Sequence, residues 1–159
     1  DYERVASEID CNSLMLVDLQ DNGNVGTVIR TSAALGCVTL LGGNCADIYS
    51  PKTVRATMGA LFSNDVYICS DAVKIVSALK KSGKRVIASA LTQNALELGR
   101  FEVKGTDCFA VGNEGKGLSP EFIAECDITA IIKMSGKTES LNAASAASIL
   151  LWEAKRGRI

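Results

Sequence analysis

A chain of 159 residues that is 47% hydrophobic and 22% charged can bury one core, and its composition excludes intrinsic disorder. Its 17 basic and 18 acidic side chains sum to −1, so no basic surplus marks an autonomous nucleic-acid binder, and any polyanion would be met by a local patch or another domain. The complete lack of histidine excludes Ser-His-Asp and Cys-His nucleophiles, an imidazole general base and every His-containing zinc site.

Apolar runs alternate with helical patterns along the chain. LMLVDL at 14–19 lies between an Asn-Ser pair and Gln-Asp-Asn-Gly, and it reads as a buried strand. Apolar positions 25, 28, 29 and 33–35 predict a helix over 25–35, with Asn24 as its cap and Gly36 as its stop. A strand over 37–41 closes on Gly42-Gly43, a helix follows over 51–58, and 66–69 is a strand. Residues 71–81 form a helix ended by Gly83, with Lys80 and Lys81 favourable in its last turn. Strands follow at 85–90 and 108–111. Ser119-Pro120 supplies an N-cap and a first-turn proline for a helix ending near Glu125. The last strand is 128–132 and the last helix 140–155. Strands separated by helices describe βαβ units, hence one α/β domain: a mostly parallel sheet with helices on both faces.

Six cysteines stand at 11, 37, 45, 69, 108 and 126, no two closer than eight residues, so no metal-ribbon or redox spacing exists. Reduced, mostly buried thiols are the expectation. No apolar run approaches the ~18–20 residues needed to span a bilayer. The chain opens on Asp1 rather than Met, which reads as part of a longer protein, and the expected compartment is the cytoplasm.

Three loops stand where ligands bind in such folds, beyond the carboxyl ends of strands. The first, from Asp21 to Gly26, leads towards Arg30, which falls on an otherwise apolar helix; a capped helix whose Arg reaches solvent or a structural carboxylate explains it equally well. The second runs Gly112-Asn113-Glu114-Gly115-Lys116-Gly117. It matches neither common phosphate-loop pattern, and Glu114 would repel phosphate; it could bind a neutral or cationic-centred ligand, or be a glycine-rich turn with a solvated Glu. The third runs from Met134 to Asn142, with Ser140 as an acceptable N-cap and Asn142 inside the first turn. The small residues after it allow another backbone to approach closely, which simple helix packing would also explain.

Together these segments resemble the three signature motifs of the SpoU (TrmH-like) RNA ribose 2′-O-methyltransferases of the SPOUT superfamily. The motifs stand here as Asn24-Val25-Gly26 with Arg30 six residues past the Asn, Gly112-Asn113-Glu114 with Gly117, and Met134-Ser135-Gly136 with Ser140-Leu141-Asn142. The resemblance runs from Leu14 to Glu153, 140 of the 159 residues. Two departures stand out: Lys133 takes the place of a proline before the motif's Met, and Asn22 that of the proline in an Asp-Pro-Gly-Asn opening.

The resemblance implies a C-terminal deep trefoil knot, a homodimer and an S-adenosylmethionine (SAM) site, with rRNA or tRNA as substrate, no metal, and neither DNA nor membrane as partner. It also implies an RNA-binding domain N-terminal to residues 1–159. Carried over by residue, the catalytic set is Asn24, Arg30, Glu114, Ser140 and Asn142. The cofactor set is Ala90, Leu91, Thr92, Gly112, Asn113, Gly117, Ile132, Met134, Leu141 and Ala146. Phosphates would meet local patches: Arg30, Lys52, Arg55, Lys133, Lys137 and Lys155-Arg156-Arg158. The competing readings are a non-catalytic RNA-binding or dimerisation module of the same fold and an unrelated nucleotide-binding α/β enzyme. Retention of Arg30 and Asn142 opposes the first, and the lack of phosphate-loop fingerprints opposes the second.

Overall fold

The computed structural model describes residues 1–156. Helix α1 (Tyr2–Glu8) precedes seven strands: β1 (Ser13–Val17), β2 (Val38–Gly42), β3 (Val66–Cys69), β4 (Val86–Ser89), β5 (Leu96–Glu97), β6 (Cys108–Val111) and β7 (Ile128–Ile131). They make one sheet in the order β3-β2-β1-β6-β4-β7-β5, with every pairing parallel. Helices α2 (Asn22–Ala34), α3 (Pro51–Thr57), α4 (Ala72–Lys81) and α5 (Pro120–Glu125) lie in the crossovers, a 3₁₀ turn, Ala60–Phe62, follows α3, and α6 (Ala143–Lys155) comes after the last strand.

Successive strand side chains point to opposite faces, and here both faces are dry. Leu14 and Leu16 join Ile87, Phe109 and Val111 beneath α2 and α6. Met15 and Val17 join Val86, Ala88, Cys108 and Ala110 beneath α1, α4 and α5. Covering both faces explains why these strands read as unbroken apolar runs. The amino-terminal edge of the sheet is fastened by a buried carboxylate: Asp107 accepts from Arg85 Nε at 3.2 Å and from the Lys104 N–H at 2.8 Å. Asn12, also buried, donates to the carbonyl of Lys104 at 2.7 Å. No helix among the described residues is long and apolar enough to cross a membrane.

Several boundaries differ from the sequence reading. The first strand stops at Val17 because Asp18 turns left-handed, at φ 54°. Helix α2 begins at Asn22, not 25, and its cap is Asp21 rather than Asn24: Asp21 Oδ1 accepts the Asn24 N–H at 2.7 Å. The last helix starts at Ala143, not 140, and Asn142 rather than Ser140 caps it. Helix α1, the 3₁₀ turn and the two-residue β5 were not anticipated.

The contact that sets α3 against α2 involves Gly26. A Cβ there would strike the Cβ of Ala56 and lie 2.8 Å from the Thr53 carbonyl, so only glycine lets the two backbones meet. Asn22 locks the same pair by donating to Ser50 Oγ at 2.7 Å and Thr53 Oγ1 at 2.9 Å. Asn22 is the first residue of α2, the position that favours proline, so the departure from the family's pattern exchanges a preset φ for two hydrogen bonds.

Gly26→Ala is expected to destabilise the fold by about 1–3 kcal/mol through overpacking, read from urea unfolding, with the exposed Thr27→Ala near neutral. Burial pushes the Cys37 and Cys69 thiols up to about 11 and that of Cys108 to about 12. At pH 8 these three should therefore resist iodoacetamide in the folded chain and react once it is unfolded in urea, as mass spectrometry of the alkylated peptides will report.

Candidate active site

Parallel strands deliver all their carboxyl ends to one edge. β1 leads to β2 and β3 on one side, whereas β6, β4 and β7 lie on the other, so the loops after β1 and β6 adjoin at the reversal of strand order. The three motif loops sit at this edge, after β1, β6 and β7.

A chain of hydrogen bonds joins them. After β6, Asn113 Oδ1 accepts the N–H groups of Gly115 and Lys116 at 3.0 and 3.1 Å, curling the loop into a turn. Asn113 Nδ2 then donates to the Asp18 carbonyl at 2.9 Å. Glu114 Oε1 accepts the Asp21 N–H at 3.0 Å, and its Oε2 faces the Gln20 N–H at 3.5 Å. Asp21 caps α2 through Asn24, and Asn24 Oδ1 accepts from Asn142 Nδ2 at 3.0 Å. Asn142 Oδ1 meanwhile accepts the Ala144 and Ser145 N–H groups at 2.9 and 3.2 Å. Those two backbone donors dictate which end of the amide is oxygen; Nδ2 must face Asn24, whose own Nδ2 is left free to donate outward.

The structure thus brings Asn24, Asn142 and Glu114 into one network. Arg30 is exposed on α2 and, among the described residues, meets no carboxylate within salt-bridge distance. That removes the structural-carboxylate explanation for it. Ser140 is exposed in the segment before α6, with no hydrogen bond to the network. Glu114 already accepts backbone N–H groups, so it holds the loop before α2 rather than facing a substrate.

The residues of the proposed cofactor set lie on the loops after β4, β6 and β7 and at the start of α6. Gly112 is buried where a Cβ would run into the backbone of Gly117 and Leu118, and Gly117 takes φ 67°. Ala90 donates its N–H to the Ala130 carbonyl, and Thr92 Oγ1 bonds Thr129 Oγ1 at 2.7 Å. Leu91, by contrast, is 90% exposed, and Met134 and Leu141 are exposed on neighbouring loops. Uncovered apolar side chains beside tight glycine turns suit a small organic ligand with an apolar portion. Cys45 hangs below this edge, its Sγ 3.4 Å from the Leu16 carbonyl; burial raises its pKa, with the charges of Asp18 and Glu114 adding, so it stays a thiol.

Sequence reasoning missed Asp18, Asp21 and Asn22 as organisers. Asp is itself among the favoured N-cap residues, the one signal that could have revealed Asp21. Two cations expected to face phosphate are engaged elsewhere: Lys133 reaches Glu97 at 3.4 Å, and Arg156 forks onto Glu153 at 2.5 and 2.8 Å. Arg158 lies outside the described residues.

Comparison with known proteins gives a consistent picture. The chain is 33% identical over 164 residues to the 23S rRNA (uridine(2479)-2′-O)-methyltransferase of Streptomyces viridochromogenes, covering 100% of this chain and 57% of that protein. It is 36% identical over 143 residues to the 23S rRNA (guanosine(2553)-2′-O)-methyltransferase RlmP of Bacillus subtilis, covering 87% of this chain and 56% of that protein. The chain therefore spans little more than half the length of these relatives. The crystal structure of an AdoMet-bound rRNA methyltransferase from Sinorhizobium meliloti superposes with a TM-score of 0.91 at 29% identity, covering 99% of this chain and 60% of that one. The family model described as SpoU rRNA Methylase matches residues 12–152, and the chain belongs to that family.

Proposed function

We propose that this chain is the methyl-transfer domain of an RNA ribose 2′-O-methyltransferase that uses SAM, acts on rRNA or tRNA and works as a homodimer with its C-terminal part knotted. The carrying observation is the Asn24–Asn142 bond, which joins the first and third motifs, while Arg30, six residues beyond Asn24 on α2, is exposed and meets no carboxylate among the described residues. Family membership and the AdoMet-bound structural relative support the cofactor. The sheet order supports the knot, since β6 enters between β1 and β4 and β7 between β4 and β5, late segments drawn in among earlier strands. For the homodimer, α6 packs on α2 and leaves Ile149 and Trp152 exposed along one stripe, apolar surface that a second copy would cover.

SAM when bound supplies the methyl group together with its own leaving group. Leu91, Met134, Leu141, Ile132 and Ala146 would offer it apolar contact, with Ala90, Thr92, Gly112, Asn113 and Gly117 framing the loops. The protein's task is then to orient the ribose and ease loss of the 2′-hydroxyl proton. The chain has no imidazole, and a guanidinium donates hydrogen bonds but accepts none, so neither supplies a general base. Arg30 acts as a donor instead: its guanidinium binds the adjoining phosphate and stabilises alkoxide charge as it develops, the proton leaving through phosphate or water. Asn24 Nδ2 and the Ser140 hydroxyl orient the ribose, and Glu114 and Asn142 are positioning residues.

Arg30→Ala should lower transfer of labelled methyl from SAM to RNA by about 10²–10³-fold while calorimetry finds SAM affinity little changed. Equal loss of both would place Arg30 in the cofactor pocket. Asn142 separates cap from bridge. Asn142→Ala should cost about 1 kcal/mol in urea unfolding as well as activity. Asn142→Asp keeps an oxygen for the cap and hence the stability, but it cannot donate to Asn24 and would instead occupy the free Asn24 amide. Its methyl transfer should fall as far as that of Asn142→Ala; wild-type turnover in Asn142→Asp would refute the bridge.

A further inference from the structure

The segment from residue 22 to 64 carries three cations, Arg30, Lys52 and Arg55, against one carboxylate, Asp47, in a chain whose net charge is −1. Asp47 is partly spoken for, since its Oδ1 accepts the Tyr49 N–H at 2.9 Å. Lys52 and Arg55 lie three residues apart on the exposed face of α3, opposite the buried Thr53 and Thr57, and neither meets a carboxylate within salt-bridge distance among the described residues. Large apolar side chains accompany them. Tyr49, just before the α3 cap, is 69% exposed, and Phe62, in the 3₁₀ turn after α3, is 80% exposed. Met58 is 73% exposed at φ 50°, a left-handed conformation unfavourable to an L residue with a long side chain. Two cations free of partners, bracketed by two solvated aromatic rings, offer a polyanion both charge and stacking surfaces.

The surface is also held rigidly relative to Arg30. Gly26, one helical turn before Arg30 on nearly the same side of α2, is where the α3 backbone makes its closest approach. Asn22 ties the start of α3 to the start of α2. Whatever α3 grips is therefore placed at a fixed offset from the arginine that faces the target phosphate.

We infer that α3, with Tyr49 and Phe62 at its ends, is a holding site for single-stranded RNA flanking the target nucleotide, Lys52 and Arg55 taking phosphates and the two rings stacking on bases. This rests on the reading of the chain as an RNA methyltransferase. Charge favours RNA over a second copy of the chain, because 18 acidic side chains nearly balanced by 17 basic ones give a copy little net negative charge, whereas every nucleotide of RNA carries one.

The test measures binding of a short fluorescein-labelled single-stranded RNA of mixed sequence by anisotropy at several salt concentrations. Lys52→Ala/Arg55→Ala should weaken binding about tenfold and flatten the salt slope by about 1.4, the contribution of two phosphates on a single strand. Tyr49→Ala/Phe62→Ala should weaken it about fivefold or more with the slope unchanged, as lost stacking requires. Lys74→Ala/Lys81→Ala, whose lysines lie on α4 and pair with Asp71 at its cap and Glu3 of α1, serves as the control and should leave both nearly unchanged. SAM affinity retained in every variant shows that the fold stands. Unchanged RNA affinity and slope in both α3 variants overturn the inference while leaving the methyltransferase reading intact. Dissociation of a dimer by Tyr49→Ala/Phe62→Ala at unchanged RNA affinity, seen in sedimentation, overturns it in favour of a protein interface. A wild-type chain that binds neither RNA nor SAM overturns both readings together.

Discussion

The arrangement at the carboxyl edge depends on how one amide is divided. Asn142 gives its oxygen to the first N–H groups of α6 and its nitrogen to Asn24, 118 residues earlier in the chain. Each bond contributes only about 0.5–1.5 kcal/mol net. Their value lies in direction, because the cap leaves the amide no freedom to rotate and the donor end has one orientation. The starts of α2 and α6 are thereby held in register, with the Asn24 oxygen committed to the bridge. Asp21 holds Asn24 from behind, and Glu114 holds Asp21.

This network works with fixed dipoles rather than titrating groups. Its carboxylates accept backbone N–H groups, its amides are satisfied on one side, and Arg30, six residues beyond Asn24 on α2, is an exposed charge that meets no carboxylate among the described residues. Such a site is ill suited to abstracting a proton at neutral pH and well suited to orienting a hydroxyl against a donor that carries its own leaving group. The absence of histidine from the chain is consistent with that economy. The exposed cations on α3 are fixed to α2 through the contact at Gly26, so their position too is set by packing rather than by ion pairs.

Local signals carried most of the fold because both faces of the sheet are covered, which makes strands stand out as apolar runs between turn residues. Ser119-Pro120 marked the start of α5 correctly because cap and proline act within one turn. The caps of α2 and α6 were misplaced for a different reason. Gly23 and Gly26 argue against a helix start at Asn22, and only the proximity of Ala56 and Thr53 explains Gly26. Ser140 and Asn142 are both good caps in isolation; the choice is made by a tertiary partner, Asn24, which local propensity cannot see. The sheet order lay beyond any local signal, since the insertion of β6 between β1 and β4 joins segments far apart in the chain. The motif resemblance singled out Glu114 and Lys133, but it could not show that Glu114 is engaged by backbone or that Lys133 turns to Glu97.

The two edges of the sheet divide stability from function. At the amino edge Asp107 is fully buried, and its oxygens are met by Arg85 and a backbone N–H; removing Arg85 would leave an uncompensated buried charge, a loss of about 3–5 kcal/mol. At the carboxyl edge the polar groups lie near solvent, and Leu91, Met134 and Leu141 are uncovered. Leaving such side chains in water forgoes the roughly 1.5–3 kcal/mol that burying each would return. A chain can leave that surface open only if its core and opposite edge hold the fold without it. The apolar surface then remains available to a bound ligand, and a ligand that covered it only in the folded state would add its binding free energy to the stability of the fold.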